Sequence, residues 1–263
     1  MRRHYLYFNL TCLFLSILFV LGILWLWKGS FVNLRNKNIP VTVMSKKVFL
    51  PDGIKDIENI KPVENLELAK KIEENLPKEI NLAVPFTSQA PEENWDLPWQ
   101  EACEEATALM LDAYYKNYNL SPLFARDEIV KMVEWEEQQG WGVSIEITKI
   151  KDLMVNYLSP KYKVKIIENP TVEQIKKYLA NGQPVFVVAD GKVLPNPHFR
   201  NGGPVYHTLI IRGYTSDSFI TNDPGTKFGE NFLYKHNDLL NAIHDWNGGN
   251  VKEGKRSVLT VDF

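Results

Sequence analysis

Apolar residues recur at intervals of three and four along several segments between residues 100 and 185. In the first of these, Ala106, Leu109, Met110 and Ala113 fall on one face, which is the spacing of an amphipathic helix. On this basis the segments predicted as helices are 102–118, 126–139, 145–158 and 171–181. The last begins with a capping-box sequence, Thr-x-x-Gln, and ends at Asn-Gly, which are typical helix boundaries.

The hydrophobic period changes after residue 183, where apolar and β-branched residues run in short stretches. The stretches predicted as strands are 184–189, 206–214, 218–221 and 257–263. A short edge strand over 84–86 is expected before the helices, and a late helix is expected over 237–246. Because helices come first and antiparallel-looking strands follow, the pattern predicts the α+β class.

The N-terminal residues have a pattern of their own. Residues 5–27 form a run of 23 without Asp, Glu, Lys or Arg, which as a helix would span roughly 34 Å, enough to cross a bilayer. Trp25 and Trp27 occupy the place of interfacial aromatic residues, and Lys28 closes the run. The run is longer than the apolar part of a signal peptide and ends without a small-x-small cleavage site. We therefore expect an uncleaved signal-anchor over 1–28 rather than a cleaved signal.

This expectation implies a single-pass transmembrane protein of the cell membrane. Basic residues are nearly balanced on the two sides of the apolar run, but a short N-terminal tail usually stays inside, which favours an extracytoplasmic position for the rest of the chain. Residues 29–80 are densely charged with both signs and are interpreted as a juxtamembrane stalk. Residues 81–263 are interpreted as the globular domain.

The composition and the motif content of the chain argue against several classes of function. The formal net charge is −2 and no basic stripe is visible, so nucleic acid is not an expected partner. The chain's 2 cysteines are too few for a disulfide scaffold or a thiolate zinc site. The sequence contains no HExxH, CxxC, EF-hand or P-loop pattern, so neither a metal nor a cofactor is predicted.

Cys103 lies where the first predicted helix begins, whereas the other cysteine, Cys12, lies in the N-terminal apolar run. The free N–H groups and the dipole of a helix start favour an anion, as a nucleophilic thiolate requires. His207 opens a predicted strand and Asp223 follows the next one, so they are candidates for a base and for the residue that orients it. The alternatives are a buried core cysteine and an aspartate serving the turn at 222–225.

Other residues compete for these roles. His198 lies in a predicted loop and is the rival base, because loops carry functional sites. Asn222 is an alternative orienting residue. Trp95, Trp99 and Trp141 either line a substrate cleft or pack in the core.

Acidic residues surround the candidate nucleophile. Glu101, Glu104 and Glu105 would raise the pKa of the Cys103 thiol if they face the sulfur, and would complement the helix start if they point away. A second acidic group on a predicted helix is interpreted as a solvated face: Glu134, Glu136 and Glu137.

Four sequence blocks together are similar to the C39 cysteine peptidases, specifically the C39-like branch found in bacterial surface proteins. The blocks are VPFTSQ at 84–89, WQEACEEA at 99–106, YHTLIIRGY at 206–214 and ITNDPGT at 220–226. The resemblance covers residues 82–226 and implies a papain-like fold. It also implies a Cys-His-Asp triad with a glutamine in the oxyanion hole. The residues that match are Cys103, His207, Asp223 and Gln89.

The sequence departs from one branch of that family. The bacteriocin-processing members have Asp-Cys-Gly at the nucleophile, with the glutamine only a few residues earlier. Here Glu104 follows Cys103, and the loop 90–99 separates Cys103 from Gln89. Together with the missing P-loop, this departure argues against a role as a double-glycine leader peptidase.

The resemblance implies a membrane-anchored thiol hydrolase that cleaves peptide bonds in a peptide or protein substrate through a thioester on Cys103. Two alternatives stay open: the same triad could transfer an acyl group to an amine, as in transglutaminase-like chemistry, or the domain could bind a peptide or wall component without turnover. A wall amidase of the NlpC/P60 type is disfavoured, because that class tends to use a second histidine or another polar residue where Asp223 stands. The sequence assigns no oligomeric state.

Overall fold

The computed structural model of the protein describes residues 76–262. The expected anchor over 1–28 and most of the expected stalk lie outside the described residues. Within 76–262, no helix is both long and apolar enough to cross a membrane.

The described chain contains five α-helices and seven strands, numbered here in chain order. The helices are α1 Cys103–Lys116, α2 Pro122–Gln138, α3 Ile147–Asp152, α4 Val172–Ala180 and α5 His236–Ala242. The strands are β1 Ile80–Asn81, β2 Lys163–Glu168, β3 Val185–Asp190, β4 Tyr206–Tyr214, β5 Ser218–Asn222, β6 Glu230–Lys235 and β7 Ser257–Asp262. This composition confirms the α+β class.

The strands form one antiparallel sheet in the order β2-β7-β3-β4-β5-β6, with β1 paired to β4. Every residue of β3, β4 and β5 is buried. Helices α1 and α4 both pack against β3 and β4. Buried strands often contain a continuous apolar run, as Leu209-Ile210-Ile211 in β4, rather than an alternating pattern.

Helix α1 is the central helix of the domain. Its first eleven residues, Cys103 to Ala113, are all buried, so even the polar side chains of this stretch are shielded from solvent. The Thr107 hydroxyl lies 3.0 Å from the Thr208 hydroxyl of β4, which joins the first turns of the helix to the strand that carries His207. The helix ends at Asn117, which takes the left-handed conformation that asparagine tolerates at a C-cap.

The predicted helices are present, with boundaries set by local capping. Helix α2 begins at Pro122, four residues before the predicted start, because Ser121 caps it by accepting a hydrogen bond from the Phe124 N–H at 3.3 Å. The third helix changes to π-helical hydrogen bonding over Leu153–Leu158. Thr171 and Gln174 form the reciprocal capping box that the sequence predicts.

Two predictions about elements are wrong. Residues 84–86 are not a strand, because Pro85 has no N–H to donate and the carbonyls of Val84 and Pro85 accept hydrogen bonds from the Asn222 side chain instead. The late helix ends at Ala242, because Ile243 pairs with Ala189 of β3. In addition, strands β1, β2 and β6 were not predicted.

The polypeptide joins the sheet slightly before residue 81. Ile80 pairs with Tyr214 of β4, and the Tyr214 hydroxyl donates a hydrogen bond of 2.7 Å to the Pro77 carbonyl. The Arg212 guanidinium holds the Leu82 carbonyl with two hydrogen bonds. The last residues of the segment assigned to the stalk therefore contact the globular domain.

Replacing Gly213 with alanine is expected to destabilise the domain by about 1–3 kcal/mol, which is typical of overpacking. A Cβ at this position would overlap the Ile80 carbonyl oxygen and lie 2.9 Å from the Asn81 Cα, so β1 would have to shift. Urea unfolding of the two proteins measures the difference. Gly142→Ala is the matched control, because its Cβ would meet nothing within 4 Å. Equal stability of Gly213→Ala and the natural protein would contradict the close packing of β1.

Candidate active site

Cys103 is the first residue of α1 and follows a single 3-10 turn, Trp99–Glu101. Its side chain is 6% exposed, so the sulfur lies just below the surface. The N–H groups in the first turn of a helix have no intrahelical acceptor, and the helix dipole there favours negative charge. The backbone at Cys103 is therefore suited to stabilise an anion.

The immediate neighbour of the sulfur is a carboxyl group. The Cys103 thiol donates a hydrogen bond of 2.9 Å to Glu104 Oε2, and Glu104 Oε1 accepts a bond of 3.3 Å from the Ile145 N–H. Burial, followed by the charge and hydrogen bond of Glu104, raises the pKa of the Cys103 thiol well above its ordinary value. The hydroxyl of Thr208 acts in the opposite direction. Of the two orientations expected for this glutamate, the structure contains the one that faces the sulfur.

Glu104 belongs to a buried group of three carboxyls, with Glu105 on α1 and Glu136 on α2. Burial raises the pKa of Glu104 to about 7, and burial together with the charge of Glu104 raises that of Glu136 to about 8. Burial and the other two carboxyls raise the pKa of Glu105. Within 76–262, Glu105 Oε2 and Glu136 Oε1 have no hydrogen-bond partner. The interpretation of Glu136 as a solvated residue is wrong, since it is only 5% exposed.

His207 and Asp223 form a buried pair. His207 Nε2 lies 2.7 Å from Asp223 Oδ1, and their side chains are 1% and 0% exposed. Burial alone would raise the pKa of Asp223, but the charge and hydrogen bond of His207 outweigh it, together with donors from Tyr234 and Gly225, so the pKa lies below its ordinary value. Asp223 is therefore an ionised acceptor that fixes the orientation of the imidazole. Asp223 therefore engages Nε2 and not the other ring nitrogen, Nδ1.

Asp223 is itself held by three further donors. Its Oδ2 accepts from the Tyr234 hydroxyl at 2.6 Å and from Asn196 Nδ2 at 3.1 Å, and its Oδ1 accepts from the Gly225 N–H at 3.0 Å. Asn196 also donates to the Tyr234 hydroxyl at 2.9 Å. Sequence reasoning missed both Asn196 and Tyr234, because neither stands near the recognised blocks in the sequence.

The imidazole is enclosed by an aromatic ring and a glycine. Phe199 packs edge-to-face against His207 with ring centroids 5.2 Å apart. A Cβ on Gly225 would lie 2.8 Å from His207 Cε1, so a residue without a side chain is needed there. The rival histidine, His198, is exposed and packs on Phe228, with centroids 4.8 Å apart.

Gln89 forms hydrogen bonds to the segment before Cys103 and to the segment after Asp223. Its Nε2 donates to the carbonyls of Trp99 and Gln100, both at 2.9 Å, just before Cys103. Its backbone N–H donates to the Pro224 carbonyl at 3.0 Å, next to Asp223. Both amide hydrogens of Gln89 are thus engaged with the backbone in this conformation.

The remaining candidates have structural partners. Asn222, the alternative orienting residue, accepts from Arg212 at 3.1 Å and donates to the Val84 and Pro85 carbonyls, away from the imidazole pair. Trp99 packs against the hydrophobic core, and Trp141 packs edge-to-face on Trp135 with centroids 5.3 Å apart. Trp95 is half-buried.

The structure places the candidate residues on neighbouring elements but does not join all of them. His207 and Asp223 are hydrogen-bonded, whereas in the described part of the chain no hydrogen bond links the Cys103 thiol to His207, and the thiol binds Glu104. The residues of 76–262 include no cluster of three or more His, Cys, Asp or Glu side chains arranged to hold a metal ion.

An α+β domain with a cysteine at a helix start, a histidine on the adjoining strand and an aspartate just after the next strand has the plan of the cysteine peptidases. The chain belongs to the C39-like peptidase family: the profile of that family, described as "Peptidase_C39 like family", matches residues 81–248. No curated protein matches the chain. A solved structure of a protein assigned as a C39-like peptidase from Bacillus anthracis is 14% identical, with a match that covers 71% of this chain and 98% of that one at a TM-score of 0.45.

Proposed function

We propose that this domain is a thiol hydrolase that cleaves peptide bonds, with Cys103 as nucleophile, His207 as base and then acid, and Asp223 as the residue that orients the imidazole. The observation that carries the proposal is the buried His207–Asp223 pair at 2.7 Å. His207 lies at the start of β4, and α1, with Cys103 as its first residue, packs against this strand.

The chemistry follows from these positions. The thiol proton moves to His207 Nδ1, and the thiolate attacks the substrate carbonyl carbon to give a tetrahedral oxyanion. The imidazolium returns its proton to the leaving amine as the C–N bond breaks, which leaves a thioester on Cys103. Water then attacks the thioester with His207 as base, and the carboxylic acid and the free thiol are released. Asp223 stays ionised and stabilises the imidazolium at each stage.

The oxyanion requires hydrogen-bond donors. The Cys103 N–H is suited to be the first donor because of its place in the opening turn of α1. Gln89 is proposed as the second donor, as the family resemblance implies. Because its amide hydrogens bind the Trp99 and Gln100 carbonyls, this role requires one of those bonds to be exchanged when substrate binds.

The cellular setting is also a proposal. The uncharged run over 5–27 supports an anchor at 1–28, and the charged segment 29–80 would connect it to the catalytic domain at 81–263. The catalytic domain would then act outside the cytoplasm on a peptide or protein close to the membrane surface.

One observation favours a second candidate function, a domain that binds peptide without cleaving it. The Cys103 thiol is bonded to Glu104, and burial together with that carboxyl raises its pKa. A thiol that stays protonated is a poor nucleophile. The two candidates therefore differ in whether Cys103 forms a covalent intermediate.

The test is to incubate the protein with a diverse peptide pool, identify products by mass spectrometry, and search acid-quenched protein for a hydroxylamine-sensitive acyl adduct on Cys103. We expect both products and adduct, and neither in Cys103→Ala. Adding a primary amine separates acyl transfer from hydrolysis, because only transfer gives amide products. Peptides that bind the protein without product or adduct between pH 5 and 9 would favour the binding domain.

A further inference from the structure

The hydrogen bond between the Cys103 thiol and Glu104 has no place in the chemistry of the triad. In a Cys-His pair the thiol proton goes to the imidazole, yet here the acceptor is Glu104 Oε2 at 2.9 Å. Glu104 is 2% exposed, and its other oxygen is fixed by the Ile145 N–H. One oxygen of the carboxyl group is thus bonded to the thiol and the other to the backbone. The group is also shielded from solvent, so its charge is not screened as a surface charge would be.

The surroundings of Glu104 contain little positive charge. Glu105 lies beside it on α1, and Glu136 faces it from α2. From β4 it is faced by Tyr206 and by His207, the titratable group that can carry a compensating positive charge. From the segment before α3, the Ile145 N–H donates a hydrogen bond to Glu104. An ionised Glu104 is therefore weakly compensated, and its neutral form is accessible near neutral pH.

We propose that Glu104 controls the ionisation of Cys103: its carboxylate form holds the thiol proton, and its neutral form donates a hydrogen bond to the thiolate. In the first form the bond is S–H···⁻O. In the second, Glu104 has taken one proton from solvent, the thiol proton has moved to His207 Nδ1, and the bond is O–H···S⁻. Charge balances, because one proton enters and the site changes from a carboxylate and a neutral imidazole to a thiolate and an imidazolium.

This inference deepens the proposed function and rests on it for its biological meaning, but its test needs no substrate. The rate of iodoacetamide alkylation of Cys103 is measured in the full-length protein from pH 5 to 10. Peptide mass spectrometry reads Cys103 and Cys12 separately, so the natural cysteines are kept. The rate reports the fraction of Cys103 present as thiolate.

In Glu104→Gln, the side chain is neutral at every pH and its amide N–H can donate to the thiolate. Alkylation of Cys103 at pH 7.5 is expected to be about tenfold faster or more, since removing a charge at this range lowers a neighbouring pKa by about one to three units. Glu136→Gln is the matched buried control, because it removes a carboxyl of the same cluster that does not touch the sulfur. Glu137→Gln is the exposed control. Both are expected to stay within about twofold of the natural protein.

The natural protein provides a second measurement that does not depend on a variant folding correctly. Two proton-binding states of Glu104 predict two steps in the dependence of the alkylation rate on pH. The rate should fall as pH rises through about 7, where Glu104 loses its proton and the thiol form becomes favoured. It should rise again in the alkaline range, where the thiol itself ionises. A single alkaline step in the natural protein, or unchanged or slower alkylation in a folded Glu104→Gln, would overturn the inference. Slower alkylation would identify Glu104 as the base that promotes ionisation.

The alkylation and peptide-pool experiments together distinguish failure of the proposed function from failure of this inference. If the domain does not hydrolyse peptides, Cys103 alkylation can still respond to Glu104→Gln while the peptide pool gives no product. If the peptidase proposal holds and this inference fails, products appear but Glu104→Gln leaves both alkylation and its pH profile unchanged.

Discussion

Peptide hydrolysis is expected to fall by about three orders of magnitude or more when His207 is replaced with alanine. The imidazole accepts the thiol proton and later protonates the leaving amine, and a positioned acid or base contributes roughly 10²- to 10⁴-fold to such steps. Members of one catalytic unit act together, so loss of the base removes most of what the nucleophile contributes. The measurement is kcat/KM on the best substrate from the peptide pool, with circular dichroism to verify the fold.

His198→Ala is the matched control for this prediction. His198 is the other histidine with a claim to the base role, but it is exposed and stacked on Phe228. Its replacement is expected to change kcat/KM by less than about twofold, because surface substitutions away from functional contacts have small effects. A loss in His198→Ala as large as in His207→Ala would reassign the base to the loop.

Asp223→Ala is expected to destabilise the domain by about 3–5 kcal/mol at pH 7, because several buried donors lose a charged acceptor and each buried group left unsatisfied costs about 1–3 kcal/mol. The substitution would remove the Asp223 acceptor from four donors: His207 Nε2, the Tyr234 hydroxyl, Asn196 Nδ2 and the Gly225 N–H. Of these, Asn196 Nδ2 keeps its bond to the Tyr234 hydroxyl. Urea unfolding measures the difference. Asp152→Ala, an exposed residue at the end of α3, is the control and should leave the unfolding midpoint nearly unchanged.

The same substitution has a predictable pH dependence. The pKa of Asp223 is lower in the folded protein than in the unfolded chain, so its contribution to stability is fully present above the unfolded value of about 3.9. It is lost as pH falls from there through the folded pKa, because Asp223 must then be protonated. The stability difference between the natural protein and Asp223→Ala should therefore narrow below about pH 4. A difference that stays constant down to pH 3 would show that Asp223 acts through packing alone.

Much of the helical half could be predicted because its elements carry their own local signals. The spacing of apolar residues in α1 and the capping box at Thr171 determine those helices largely within their own sequence. Strands β3, β4 and β5 also have distinctive apolar runs. Strands β2 and β6 are different: Lys163 and Lys165 are exposed in β2, and Glu230 and Lys235 in β6, so these outer strands lack the pattern of a buried strand.

The candidate residues could be found in the sequence, but their partners could not. Cys103, His207 and Asp223 stand in recognisable blocks, and the family assignment now covers those blocks. Asn196 and Tyr234 reach Asp223 from a loop and an unpredicted strand, which only the tertiary structure brings together. Nothing in the sequence around Glu136 distinguishes it from a solvated glutamate. Its burial follows from the packing of α2 against α1.

The pairing of β1 with β4 determines which contacts would separate first if the chain were under tension at its N-terminal side. A pull on the chain at Leu76 would act on Tyr214 and Gly213, at the opposite end of β4 from His207. The Tyr214–Pro77 hydrogen bond and the two pairs of β1 would separate first, as a short zipper. The next contacts under tension would be the two hydrogen bonds that Arg212 donates to the Leu82 carbonyl. Tension applied at the N-terminal side would therefore separate β1 before it disturbed the end of β4 that carries His207.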